Sequence, residues 1–411
     1  MTVARIAFAW EMGGEYGHVM SCAALAAGLA AHGHRIAFMF RELRQLSVVP
    51  EARDYDVFQA PRCAREGVGA DVPAGYVDIM SGCGYSDPRE LTGLLGGWRS
   101  LMSRWQPDMV VVDFAPTALL AAHSLGLPRV TYGNGFFVPP RSTPLPPFRF
   151  DAPIDVGRLA RTEQAVLANT NAALVALGAK PLLRLAELFD ADEHFICTFP
   201  ELDHYGNRET SGYWGPRVRF DRGTDVPWPE GTGKKIFVYV KTNLPLRDPL
   251  LDHLASTEHR IVAYIPGLDE ARRRRFASRK RVVCDRPVRL ERFLRDCDLL
   301  VSHGGEISTG ALMYGVPSLV FPTHYEQYAT ARRLEQLNVG VWLGPGATAD
   351  LLPRAIAGVL DPRRVDIART YARRYAAFSP MEQRRRIVAR IEELIQGRGA
   401  ILSPTSSQGT P

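Results

Sequence analysis

Several absences bound this chain before any motif is considered. No stretch approaches the roughly 18 consecutive apolar residues needed to span a bilayer, and MTVARIAFAW at the start lacks a charged head followed by a long apolar core. A soluble, cytoplasmic protein is expected, with at most peripheral membrane contact. The six cysteines, at 22, 63, 83, 197, 284 and 297, include no CxxC pair, which argues against structural zinc and against a disulfide framework. The first corner holds Gly13, Gly14 and Gly17 but not the first interval of a GxGxxG run, so NAD binding is disfavoured. One acid-x-acid pattern, Asp190-Ala191-Asp192, has no nucleotide-binding corner beside it, and no metal site is expected there.

At 411 residues the chain exceeds what one hydrophobic core usually organises, and 46% apolar with 23% charged residues is ordinary globular composition. Two domains are expected. The net charge of +6 and the pI near 9.0 mildly favour acidic partners such as nucleotides. The densest basic run, Arg272 to Arg281, interleaves only one aromatic residue; it reads as a solvated helix end and turn, and no nucleic-acid partner is expected. His32 and His34, flanking Gly33, read as surface residues.

Short β-branched or aromatic runs alternate with helical patterns through both halves, which argues for parallel sheets with crossover helices. Strands are expected at Ile6–Ala9, Arg35–Phe40, Met109–Val112 and Arg129–Tyr132, with an alanine-rich helix before Gly33. The rhythm restarts with KKIFVYV, RIVAYI, RVVCD, DLLVS and PSLVF. The fold class is therefore α/β, two doubly wound units in tandem. The Pro- and Gly-rich stretch around Tyr213–Gly233 marks the boundary. A second irregular stretch, Gly133–Pro153, carries six prolines and suits a binding loop.

Val301 to Gln327 reads VSHGGEISTGALMYGVPSLVFPTHYEQ. At the carboxyl end of a parallel strand, where a loop enters a helix, free N–H groups favour an anion. His303-Gly304-Gly305 stands at such a point, with glycines that let the main chain approach a ligand and with Ser308 and Thr309 on the first turn. This is chemistry for a diphosphate. The pattern H-G-G-x-x-S-T, A-L-x-x-G-V-P, P-x-x-x-E-Q and V-G-V resembles the donor-binding region of GT-B-fold glycosyltransferases, the superfamily of the UDP-glycosyltransferases and the bacterial antibiotic (macrolide-type) glycosyltransferases.

The resemblance implies two Rossmann-like domains facing a cleft. It implies that His303 and the amides of Gly304 and Gly305 hold the diphosphate, assisted by Ser308 and Thr309, while Glu326 and Gln327 contact donor sugar hydroxyls. Thr242, after the first strand of the second unit, is a further candidate phosphate contact. The chain departs from the family at four points, the first being Lys241-Thr242-Asn243, where the family usually shows a Ser-Gly type sequence. The interval from His303 to Gly315-Val316-Pro317 is one residue short, the usual ribose-binding acid falls at Gly310 or Ala311, and Asp285-Arg286-Pro287 stands where plant members place a base-stacking tryptophan. The donor is thus a UDP- or dTDP-sugar, with the base left open.

The other half of the expected site is His18, after the first strand, and Asp113 in MVVVDFAP. A neutral imidazole takes a proton from an acceptor hydroxyl near neutral pH. An acid at the end of an apolar parallel strand needs a partner, and a carboxylate on the far ring nitrogen would fix the tautomer of His18. The alternative role of Asp113 is as an N-cap ahead of Pro116. The resemblance assigns the catalytic pair to the same two residues.

The expected layout is an acceptor-binding domain over 1–215, a linker over 216–233, a nucleotide-sugar domain over 234–380, a C-terminal helix over 381–397 crossing back to the first domain, and a flexible tail over 398–411. Segments 61–100 and 133–153 are expected to be the variable loops that set the acceptor. The expected function is inverting, metal-independent, hexosyltransferase-type transfer of a sugar to a hydroxyl or amine of a small natural-product-like acceptor, with no cofactor beyond the nucleotide sugar. The alternatives are a non-catalytic donor-binding auxiliary protein and a GT-B nucleotide-sugar epimerase or hydrolase.

Overall fold

The computed structural model describes residues 3–14, 16–63, 73–149, 153–206, 208, 212–218 and 223–402, the last five of these for the backbone alone. It divides into two compact units. The first comprises the chain through Cys197, Arg208–Arg217 and everything from Pro380; the second comprises Thr198–Asn207 and Val218–Ser379.

The first unit is built on β1 (Arg5–Trp10), β2 (Arg35–Phe40), β3 (Asp56–Gln59), β4 (Met109–Asp113), β5 (Arg129–Gly133) and β6 (Glu193–Ile196). All neighbours are parallel, in the order β3-β2-β1-β4-β5-β6. The second holds β7 (Lys235–Tyr239), β8 (Arg260–Tyr264), β9 (Arg281–Cys284), β10 (Leu299–Ser302), β11 (Ser318–Val320) and β12 (Gly340–Trp342). Its order, β12-β11-β10-β7-β8-β9, is the same winding. Each sheet reverses its strand order between its first and fourth strands, and open α/β sheets bind ligands at the carboxyl end of that switch point.

The strands expected from the apolar runs are, apart from the edge strand β9, the ones buried on both faces. Every residue of β4 is buried, and all of β1 after Arg5, so these sequences read as continuous apolar stretches. The three strands that the runs did not announce, β3, β6 and β12, all lie at sheet edges. Their burial is partial: in DVFQ no residue is fully buried, and a half-covered strand needs no long apolar run.

The helix Tyr16–Ala31 owes its length to alanine, the best helix former, and ends ahead of Gly33, which takes a left-handed φ of +89°. The final helix, Pro380–Leu402, packs Ile387, Val388 and Ile391 into the core of the first unit. Gly28 makes room for it, since a Cβ there would stand 2.9 Å from Val388 Cγ2. Glu392 then bonds His32 Nδ1 at 2.8 Å and His34 Nε2 at 3.2 Å. His34 is not a surface residue: it is buried, and its Nδ1 accepts from the Ala4 N–H.

Several boundaries differ from expectation. Between the units the chain does not pass once, within 216–233. Phe199 and Leu202 bury themselves with Leu312, Val320 and Ala331 of the second unit, and Phe199 stacks on Tyr375 at 3.7 Å, so 198–207 is withdrawn from the first unit. The expected tail begins inside a helix that continues to Leu402; 403–411 lie outside the described residues, as do 219–222 of the linker and 64–72 and 150–152 of the variable segments. Much of 61–100 is helical. Pro88–Trp105 starts from Asp87, whose side chain caps the Arg89 N–H, and buries Leu91, Leu94, Leu95, Trp98, Met102 and Trp105 along one face.

Candidate active site

At the switch point of the first sheet, Trp10 of β1 lies opposite Asp113 of β4 in register. The chain leaves β1 through Gly13, at φ +78°, and enters the helix that carries His18 in its first turn. His18 Nδ1 stands 3.0 Å from Asp113 Oδ2. The carboxylate can only accept, so Nδ1 carries the proton and Nε2 keeps the lone pair. Nε2 points toward Gly13, where a Cβ would sit only 2.8 Å from it; the missing side chain leaves that nitrogen approachable. Trp10 and Phe114 stack on the imidazole with interplanar angles of 19°, and Phe137 lies 5.1 Å from it. These rings hold the imidazole plane and lower the local dielectric.

Asp113 is fully buried. Burial alone would raise its carboxyl, but the Arg217 guanidinium and His18 hold it below the ordinary carboxylate value. Arg217 Nη1 reaches the same oxygen, Oδ2, at 2.9 Å, donates to the Tyr132 carbonyl at 3.0 Å and lies over the Tyr132 and Phe137 rings. No feature of WGPRVRF marks Arg217 as a site residue; only its placement does. The Cys22 thiol is 3.7 Å from Oδ2.

Asp113 is not the N-cap of the helix Pro116–Ser124. That position is Ala115, which has no capping side chain, and the Thr117 N–H goes at 2.9 Å to Oε2 of Glu11, another residue sequence reasoning passed over. Loss of hydration pushes the Glu11 carboxyl up to about 7, against the hydrogen bonds from Thr117 and Ala118 and the charge of Arg41. Phe114, directly after Asp113, sits at φ +46°. A left-handed phenylalanine costs on the order of 1–3 kcal/mol, and the backbone bond from Met12 N to Phe114 O helps hold it.

The second sheet sets Tyr239 of β7 opposite Ser302 of β10 at its own switch point. Beyond Ser302 come His303, Gly304 at φ +101° and Gly305 at φ +70°, then the helix Glu306–Met313. Ser302 Oγ accepts the Gly304 N–H and bonds Ser308 Oγ, both at 3.2 Å, so Ser308 braces the corner from within. The imidazole of His303 is engaged at both nitrogens. Nδ1 donates to the Phe321 carbonyl at 2.8 Å, and Nε2 accepts the Lys241 N–H at 2.7 Å. The side chain thus ties the ends of β7, β10 and β11 together, and it is neutral.

Glu326 and Gln327 come to the same corner. A Cβ on Gly305 would meet Glu326 Oε2 at 3.5 Å, and one on Gly304 would meet the Gln327 carbonyl at 3.4 Å. Both side chains are buried. Gln327 Oε1 accepts from the backbone and the hydroxyl of Thr323, each at 2.9 Å. His204 bonds Thr330 at 3.0 Å and reaches Glu326 Oε1 at 3.6 Å. Thr309 is buried on the first turn. Thr242, after β7, accepts from Arg247 through its carbonyl. His324 is exposed.

The acid-x-acid pair faces arginines. Asp192 Oδ2 accepts the Arg129 N–H at 2.8 Å, and Asp190 pairs with Arg141 and takes the Arg129 Nε–H on its carbonyl. Among the described residues no group of three His, Cys, Asp or Glu side chains is placed to hold a metal ion, and no helix is long and apolar enough to cross a membrane.

Known proteins share this architecture. The chain is 27% identical over 281 residues to the L-demethylnoviosyl transferase of Streptomyces niveus, a match covering 62% of this chain and 63% of that one. It spans less than two thirds of the length of the curated relatives it matches first. The glycotransferase of kitacinnamycin superposes with a TM-score of 0.68 at 19% identity, over 95% of this chain and 99% of the other. Glycosyltransferase SsfS6 of Streptomyces sp. SF2575, solved with thymidine diphosphate, gives a TM-score of 0.59 at 20% identity, over 95% and 99%. The model of the erythromycin biosynthesis protein CIII-like C-terminal domain matches residues 248–394. With two parallel six-stranded sheets wound alike, this is a chain of the GT-B glycosyltransferase fold, and its residues 248–394 match the model of the erythromycin biosynthesis protein CIII-like C-terminal domain.

Proposed function

We propose that this protein is an inverting glycosyltransferase that moves a sugar from a nucleoside-diphosphate donor to a hydroxyl or amine of a small, natural-product-like acceptor. The observation that carries the reading is the buried contact of His18 with Asp113 at the first switch point. His18 Nε2 takes the acceptor proton, the freed oxygen or nitrogen bonds to the anomeric carbon, and the bond from that carbon to the diphosphate breaks, with its electron pair going to the phosphate oxygen. One displacement inverts the anomeric centre. Asp113 stabilises the imidazolium as it forms.

At the second corner, the Gly304 and Gly305 backbone and the first turn of Glu306–Met313 receive the diphosphate. A helix end by itself contributes about 0.3–2 kcal/mol to holding an anion, so Thr309 and Thr242 are assigned supporting contacts. His303 acts by holding the corner open, since both its nitrogens are engaged. Glu326 and Gln327 are assigned the sugar hydroxyls. Ser308 is assigned the same bracing part as His303. A nucleoside diphosphate bound by main-chain amides and a helix N-terminus needs no bridging metal, and Asp190 and Asp192 are committed to Arg129 and Arg141. A structural neighbour solved with thymidine diphosphate favours dTDP over UDP as the donor's nucleotide.

The test is product formation from dTDP- and UDP-sugars with a panel of polyketide and aromatic acceptors, followed by mass spectrometry before and after chelation. A glycosylated product with inverted configuration and undiminished yield in chelator is expected. Release of free sugar alone, or rescue by magnesium or manganese, would reject the reading.

A further inference from the structure

The transfer chemistry uses His18 and Asp113, yet a third side chain occupies the oxygen that joins them. Arg217 Nη1 lies 2.9 Å from Asp113 Oδ2, and His18 Nδ1 lies 3.0 Å from that same atom. Arg217 and Asp113 are both almost wholly withdrawn from solvent. Asp113 Oδ1 is buried and has no hydrogen-bond partner among the described residues, so a single oxygen takes both donors. We propose that Arg217 is a positioning residue of the proton-transfer site: it holds Asp113 as a carboxylate turned toward His18 and sets how readily the His18–Asp113 pair takes up a proton.

The charge balance gives the direction. With guanidinium, carboxylate and neutral imidazole together, the buried set has no net charge; one more proton makes it a cation in a poorly hydrated place, which is unfavourable. Without the guanidinium, the carboxylate and imidazole carry a net negative charge, and one proton neutralises them. Removing Arg217 therefore favours a protonated pair. Whether that proton resides on His18 or on Asp113, the base is lost. The other groups around His18 do not replace the cation. Trp10, Phe114 and Phe137 are uncharged, Cys22 adds a thiol from the same helix, and Glu11 and Arg41, beyond β1, face the Thr117 amide and each other.

The proposal rests on the reading of His18 as the base, and its tests separate the two. In the full-length protein, Arg217→Met is expected to move the acid limb of the pH profile of kcat/KM upward by about one unit or more. Turnover should recover at alkaline pH, with KM for the nucleotide sugar unchanged, and Arg217→Lys, which keeps the charge, should bring the limb back. A limb that stays in place while turnover is intact, or while it falls equally at every pH, overturns the proposal. Should Arg217→Met not fold, Asp113→Asn is compared with Asp113→Asn/Arg217→Met, which buries neither charge. Equal activity in the two is expected, and a further tenfold loss overturns the proposal. The imidazole of His18, followed by NMR in wild-type and Arg217→Lys protein, reads proton uptake without turnover. It should match in the two, and a displacement of a unit or more would count against charge as the cause. If His18→Ala keeps full turnover, the base reading fails while this titration still judges Arg217.

Discussion

The two sheets share one winding order and differ in what their switch points hold. At the first, a carboxylate, a guanidinium and an imidazole share one buried oxygen. At the second, the corresponding histidine bonds the Phe321 carbonyl and the Lys241 N–H, and the corner is lined by glycines, the Ser302 and Ser308 hydroxyls and the Glu326 and Gln327 side chains. The topology places a loop at the same spot in both. Electrostatics then separates the two: the first buries a guanidinium, a carboxylate and an imidazole on one oxygen, while at the second the imidazole is held neutral by backbone groups at both nitrogens. A histidine at a switch point is therefore not in itself a base; its partners decide.

The strongest way to break the comparison is to remove the charge on which the first corner depends. Asp113→Ala would take from the buried Arg217 the carboxylate it faces, and breaking a buried ion pair in this way typically costs about 3–5 kcal/mol. Urea unfolding should show this, and Asp113→Ala with near wild-type stability would mean that the pair is not buried in solution. His18→Ala separates chemistry from folding. Turnover should fall about 10²-fold or more with little change in donor affinity, and a turnover near wild type would end the comparison as drawn.

Glu11 sharpens it by pH. Its folded carboxyl stands at about 7 against an ordinary 4.5, so the folded state holds the extra proton between those values and stability falls as pH rises from about 4.5 through 7. The whole effect is on the order of 3 kcal/mol. Glu11→Gln keeps an acceptor for the Thr117 N–H and should flatten this part of the stability profile, most visibly by unfolding at pH 5 and pH 8. An unchanged slope would place the titration elsewhere.

The smallest effect belongs to the second corner. Gln327→Ala should weaken an intact nucleotide sugar by roughly 0.5–1.5 kcal/mol and leave the free nucleoside diphosphate almost untouched. His303→Ala should weaken both alike, because it loosens the backbone that meets the phosphates. Calorimetric titration of both ligands reads the difference, and equal losses in Gln327→Ala would show that this residue supports the corner rather than the sugar.

Much of this was legible in the chain itself. The central strands announce themselves because burial on both faces demands an unbroken apolar run, and His303-Gly304-Gly305 announces a corner because left-handed backbone demands glycine at 304 and 305. His18 and Asp113 could be paired because each ends a parallel strand's path at one crevice. Three of the four edge strands stayed hidden, since a half-covered strand such as DVFQ carries no such run. The part of 61–100 expected as loop was misjudged because the apolar face of Pro88–Trp105 is spaced at helical intervals among polar residues.

What the sequence by itself determined, then, was the winding of two α/β units, the two glycine corners and the residue types available at each. Those follow from propensity and burial, which act on neighbours along the chain. Only the tertiary structure decided that Arg217 shares the oxygen of Asp113, that Glu11 rather than Asp113 caps the helix at Pro116, that His303 is spent on Phe321 and Lys241, and that 198–207 joins the second unit. These are pairings between segments far apart in sequence. They are set by which strand ends the sheet order brings side by side and by the need of each buried polar group for a partner.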